Sequence, residues 1–214
     1  MKNEPSQQNN GQSMPYLIPD ADFNVKLKIH SRNIDHTKEF LEKGVEDFVL
    51  PEYSIPNGYR FVKSLKRNQY RLISTTNAPE TVYLVELIFR KDIIFSKTTC
   101  TQVKVWRTVS EEHDIATRYL PRYFFSYLLK TYSIVVSDEE QTGAGKRFWE
   151  TMIDWAFTVH LNVYISDGTE ENRPLTVVKD TDDLYENWDA FCWGKDRDTH
   201  THRLLVISKE KLSQ

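Results

Sequence analysis

Residues 132–166 read YSIVVSDEEQTGAGKRFWETMIDWAFTVHLNVYIS, and the spacing of their apolar positions decides the fold class. The run YSIVVS at 132–137 is short, apolar and β-branched, which predicts a buried strand. A polar loop, 138–142, leads into Gly143-Ala144-Gly145. Beyond it Phe148, Trp149, Met152, Ile153 and Ala156 recur on one helical stripe, with Lys146, Arg147, Glu150 and Asp154 opposite. That spacing predicts a helix to about Phe157 lying on a sheet. LNVYIS at 161–166 then returns to strand.

Working outward, the pattern repeats toward the C-terminus, with a helix expected over 180–191 and a strand, HRLLVIS, over 202–208. Toward the N-terminus, Glu111 and Glu112 suit a helix start, and Ile115, Tyr119, Tyr123, Phe124, Tyr127 and Leu128 continue at helical spacing, with Pro121 expected to kink or split the helix. Residues 58–95 and 101–109 are rich in Val, Ile, Tyr and Phe, which reads as antiparallel strands. Further back, alternating Phe23, Val25, Leu27 and Ile29 predict a strand, followed by a helix capped by Ser31 or Asp35 and running to about Phe48. The fold class expected is α+β or mixed α/β: a central, mixed but largely antiparallel sheet flanked by helices, with β-α-β-α-β in the C-terminal third.

The chain has 214 residues, long enough for one domain with a sizeable core. Met1 to about Ser13 is Gln, Asn, Ser and Pro with little to bury, so residues 1–15 are read as a disordered tail and 16–214 as a single domain. No fixed-period repeat appears, which excludes solenoids and propellers. Two cysteines, Cys100 and Cys192, are too few for a disulfide framework and fit a reducing compartment. With no secretory h-region at the start and no apolar run of about 20 residues, a cytoplasmic protein without membrane spans is expected.

The chemistry concentrates in three places. With only 7 glycines in the chain, finding Gly143 and Gly145 together at a strand-to-helix turn is informative. Glycine permits close approach of the backbone to an anion, and the first N–H groups of a helix bind phosphate. Second, Asp196, Asp198, His200 and His202 alternate, and would share one face of an extended segment as possible metal ligands; a polar connector explains the same composition. Third, Arg60, Lys63, Lys66, Arg67 and Arg71 fall within 58–71 without an acid, interleaved with Tyr59, Phe61 and Tyr70. Such a run suits nucleic acid, although a solvated strand face is the first explanation of it. Residues 167–198 hold ten acids and four bases, so the molecule is polarised although its net charge is only −3. Trp188 and Trp193 lie in or after this acidic stretch, where an exposed ring could anchor a protein partner. No Gly-x-Ser-x-Gly, His-Glu-x-x-His, Walker loop or Gly-x-Gly-x-x-Gly occurs, so hydrolase, zinc protease, P-loop and Rossmann readings lack support.

Strand 132–137, the loop Glu140-Gln141-Thr142-Gly143-Ala144-Gly145, the following helix and strand 161–166 resemble the acyl-CoA-binding core of the GNAT superfamily of N-acetyltransferases. In that family Arg or Gln, two residues, Gly, any residue, then Gly or Ala cradle the CoA pyrophosphate. The resemblance implies that Gln141, Thr142, Gly143, Ala144, Gly145 and Lys146 hold acetyl-CoA or another acyl-CoA. Glu140 stands where the family has Arg or Gln, one position before Gln141. Asn187 and Ala190 look like part of the family's Asn-x-x-Ala pattern, while Gly194 occupies the place of its general-acid Tyr. Asp138, at the carboxyl end of the buried strand, is the candidate catalytic carboxylate, facing a reaction crevice. The function expected is acyl-CoA-dependent transfer to an amine; the alternative is a non-catalytic protein that binds nucleic acid or a protein partner.

Overall fold

The structure, a computed structural model, describes residues 16–17, 22–132, 134–136, 140–193 and 202–213. In chain order its elements are β1 (Tyr16–Leu17), α1 (Asp22–Lys28), α2 (His30–Glu42), β2 (Val45–Asp47), β3 (Tyr59–Ser64), β4 (Gln69–Ser74), β5 (Glu80–Ile94) and β6 (Lys97–Arg107). After a 3-10 turn at 111–113 come α3 (Asp114–Thr117), α4 (Leu120–Tyr132), β7 (Ile134–Val136), β8 (Glu140–Gln141), α5 (Gly143–Thr158), β9 (Asn162–Asp167) and β10 (Leu175–Val178). The chain closes with α6 (Thr181–Asp183), a π turn at 184–188, α7 (Asp189–Cys192) and β11 (Arg203–Ser208).

Among the described residues nine strands form one sheet in the order β10-β9-β11-β7-β6-β5-β4-β3-β2, and β1 pairs with β8 apart from it. Neighbours in the large sheet are antiparallel except β6 and β7. A parallel pair needs a crossover, which α4 supplies. Since β7 and β9 lie on opposite sides of β11 and both run against it, α5 is a second crossover in the same direction. Right-handed connections then put α4 and α5 on one face of the sheet. Their apolar stripes do meet: Phe125 of α4 lies 5.5 Å from Trp149 of α5, ring centre to ring centre, over Val85, Leu87, Val163 and Ile165. The opposite face takes α1 and α2, through Leu27 on Leu84 and Trp106 and through Phe40 on Val62 and Ile73. Farther along that face Ile93 and Ile94, near the tip of the long β5–β6 hairpin, cover Tyr164, Leu204 and Val206.

A polar pin fixes α2 to the start of β5. Asn33 and Thr37, both fully buried, accept the Thr81 N–H at 2.9 and 3.0 Å, and the Asn33 amide donates to the Thr81 and Leu27 carbonyls. The β4–β5 register shifts at Leu72 and Ile73, and side chains on α2 satisfy the backbone group of Thr81.

Several expectations need correction. The alternating segment at 23–29 is helix α1 rather than a strand, and only Leu27 among its described apolar side chains is buried; Val25 and Ile29 face solvent. The adjoining sheet surface needed one Leu anchor from a helix, and packing overrode the local pattern. Helix α2 begins without a side-chain cap, since Ile29 and neither Ser31 nor Asp35 is the N-cap, and it stops at Glu42 rather than near Phe48. Gly44, at φ +95°, turns the chain so that 45–47 can pair with β3. Pro121 falls in the first turn of α4, where its missing N–H costs nothing, and the expected helix is split before it. The helix expected over 180–191 is present but broken by its π turn, and β10 follows a loop with no alternating signal.

Candidate functional site

Helix α5 begins because Thr142 is extended and its Oγ1 accepts the Gly145 N–H at 3.0 Å. Gly143 and Ala144 are exposed, and as first-turn residues their N–H groups have no intrahelical acceptor. A Cβ built on Gly143 would meet only Arg147 Nη1 at 3.8 Å. Among the described residues, packing does not demand glycine there. Lys146 does not stand free: its Nζ is 2.7 Å from Asp189 Oδ1 of α7 and 3.6 Å from Glu150 Oε1. It also lies 5.9 Å from the Trp193 ring centre. The cation expected to meet phosphate is therefore shared with two carboxylates.

Among the described residues strands β6 and β7 pair at Cys100 with Val135 and at Thr101 with Val136. From there β6 continues to Arg107, whereas by 140–141 the chain has left it, and β8 pairs with Tyr16–Leu17 in the separate sheet. The described part of the parallel pair thus lies one short segment before the exposed turn that opens α5. Asp138, the carboxylate candidate, lies outside the described residues, and Gln141 is placed only by its backbone in β8.

The basic run of 58–71 divides into two parts. On β3, Arg60 pairs with Asp47 and Lys63 with Glu46 at 3.6 Å, because β2 lies alongside in antiparallel register. Lys66 and Arg67, exposed in the β3–β4 turn, and Arg71, only 3 % exposed on β4, instead line a concavity beside α2. His36, Lys43 and Lys104 join them from distant positions in the sequence. No local motif announced those three; the β5–β6 register that sets Lys104 opposite Glu86, and the seat of α2 on β5, bring them there.

Of the possible metal ligands, Asp196, Asp198 and His200 lie outside the described residues. The carbonyl of His202 accepts from the Gly168 N–H at 2.7 Å and from Arg173 at 3.1 Å, a structural role. Among the described residues no group of three His, Cys, Asp or Glu is placed to hold a metal ion. The two tryptophans considered as exposed anchors are packed into the main core: Trp193 is buried, and Trp188 is half-buried against it with Phe191 at 5.4 Å. Cys100 and Cys192 are free thiols whose burial pushes each pKa up to about 12, so neither is an activated nucleophile. No helix among the described residues is long and apolar enough to cross a membrane. Comparison of the chain with protein-family models, with curated proteins and with solved structures yields no match.

Proposed function

We propose that the protein is an acyl-CoA-dependent transferase of GNAT-like architecture, acting on an amine. One observation carries this reading. In an otherwise antiparallel sheet β7 runs parallel to β6, and by 140–141 the chain pairs with Tyr16–Leu17 instead and opens a glycine-led helix whose first turn is exposed. A closed sheet with that turn buried would have favoured a non-catalytic interaction protein. The element order β7-α5-β9, followed by short helices and β11, agrees with the same reading.

In this account the first-turn N–H groups at Gly143 and Ala144 bind the pyrophosphate of acetyl-CoA, helped by the helix dipole. A backbone N–H of the buried strand stabilises the thioester oxygen as it gains charge. The amine is deprotonated by a carboxylate, Asp138 or its neighbour Glu139, or by water held there. The nitrogen attacks the thioester carbon, the C–S bond breaks, and CoA leaves as the thiol.

Calorimetric titration with acetyl-CoA and free CoA tests the proposal. Saturable binding is expected, weakened by the double substitution Gly143→Leu with Gly145→Leu. Binding that the double variant leaves unchanged removes the site assignment, and no binding at millimolar ligand removes the transferase reading.

A further inference from the structure

Across the sheet from α4 and α5, the concavity beside α2 encloses about 390 Å³, within the range of small-ligand pockets. Its cations are Lys43, Lys66, Arg67, Arg71 and Lys104, set against Glu39 in its wall and Glu86 behind Lys104. Counting those seven groups, the charge is +3. Arg71 is the unusual member. Its guanidinium stacks on the Phe40 ring at 3.9 Å and donates through Nε and Nη2 to Gln69 Oε1, and through Nη1 to Thr81 Oγ1 and His36 Nδ1. Among the described residues no carboxylate lies within 4.0 Å of it, nor of Lys66 or Arg67. Four of its five N–H groups are used, leaving one on Nη2. Its hydrogen-bond partners are neutral and Glu86 acts on it only through space, so in a low-dielectric site an incoming anion gains from this cation.

We propose that this pocket binds a phosphorylated small molecule of nucleotide size or smaller, with its phosphoryl oxygens taken by Lys66 and Arg67 at the rim and by Arg71 at the floor. Mixed Lys point charges and Arg forks suit a multiply charged phosphoryl group better than a single carboxylate. Phe40 and Leu84 in the wall give the rest of the ligand an apolar surface. A nucleic-acid strand fits less well. It requires a continuous basic track, and here Arg60 and Lys63, the outward extension of the run, are already tied to Asp47 and Glu46.

The test is calorimetric titration of the full chain with inorganic phosphate, pyrophosphate, AMP and a short unphosphorylated single-stranded oligonucleotide. Pyrophosphate or AMP should bind saturably. The double variant Lys66→Gln with Arg67→Gln, both exposed turn residues, should weaken that binding about tenfold, whereas Arg60→Gln with Lys63→Gln should change it by less than about twofold. Urea midpoints check that each variant is folded. The proposal is overturned if no phosphate probe binds, if both double variants weaken binding equally, or if only the oligonucleotide binds.

Discussion

The start of α5 and the pocket beside α2 are both places where the sequence carries positive charge, yet they handle it in opposite ways. At α5 Lys146 is met by Asp189 and Glu150, Arg147 brings a second, exposed cation beside Gly143, and the glycine turn contributes exposed backbone N–H groups. In the pocket, Arg71 is buried with neutral partners only, while Lys66 and Arg67 lack carboxylates altogether among the described residues. One site offers a backbone cradle with its charge largely balanced. The other offers excess charge without a glycine. Counter-charges arrive from remote elements, α7 in one case and β2 sparing the pocket in the other, so a local motif cannot tell which cations remain available.

The comparison can be broken most severely at its supports. Trp149 anchors α5 against Phe125 and Phe148, and Trp149→Ala should lower stability by roughly 3–5 kcal/mol, seen as a drop in the urea midpoint. On the other face, Arg71→Met strands Gln69 Oε1 and removes the stack on Phe40, at a cost of roughly 2–4 kcal/mol. A loss below about 0.5 kcal/mol would mean that the guanidinium network does not hold Phe40, Gln69 and Thr81 together at the pocket floor. Thr142→Ala deletes the cap of α5 and should cost about 1 kcal/mol, whereas Gly143→Ala, with open space for its methyl, should stay within about 0.5 kcal/mol of the parent. If Gly143→Ala destabilises as much as the cap loss, glycine is there for folding and not for a ligand.

Smaller effects sharpen the contrast. Asp189→Asn removes the nearer acid from Lys146 and should tighten acetyl-CoA binding by roughly threefold, because the pair is partly exposed and screened. On the pocket side, His36 accepts from Arg71 and so must be neutral at Nδ1. Burial first, and the Arg71 charge second, lower its pKa from the ordinary 6.5; Lys26 and Lys43 act the same way and Glu39 opposes. Below pH 6.5 the unfolded chain then binds a proton more readily than the folded one, so this contribution to stability is present above that pH and is lost as pH falls through the lowered value. Urea midpoints at pH 7.5 and 5.5 should show a drop that His36→Gln reduces. Burial also draws the Arg71 pKa down to about 9, which still leaves it charged across this range.

Much of this architecture was legible in the sequence. The period of 148–156 gave helix α5, the β-branched runs gave β7, β9 and β11, and the shift from strand to helix after Ser110 placed α4. The segment at 23–29 was not, because a two-residue alternation over seven positions fits either element until a partner surface selects one. The glycine turn was visible since glycine speaks through its own backbone. The pocket was only half visible: Lys66, Arg67 and Arg71 stood together in sequence, but Lys43, Lys104 and His36 joined through register and helix docking. For the same reason the ion pairs of Lys146, Arg60 and Lys63 could not be read from neighbours in the chain.

On the two proposals made above, the two faces of the sheet bind different ligands, acyl-CoA at the α5 turn and a smaller phosphorylated molecule beside α2. The most direct measurement is calorimetric titration of acetyl-CoA into the parent chain and into the two double variants, Gly143→Leu with Gly145→Leu and Lys66→Gln with Arg67→Gln. The account predicts saturable micromolar binding that the glycine variant loses and the pocket variant keeps. Binding lost in the pocket variant and kept in the glycine variant, or no binding to the parent chain, would contradict it.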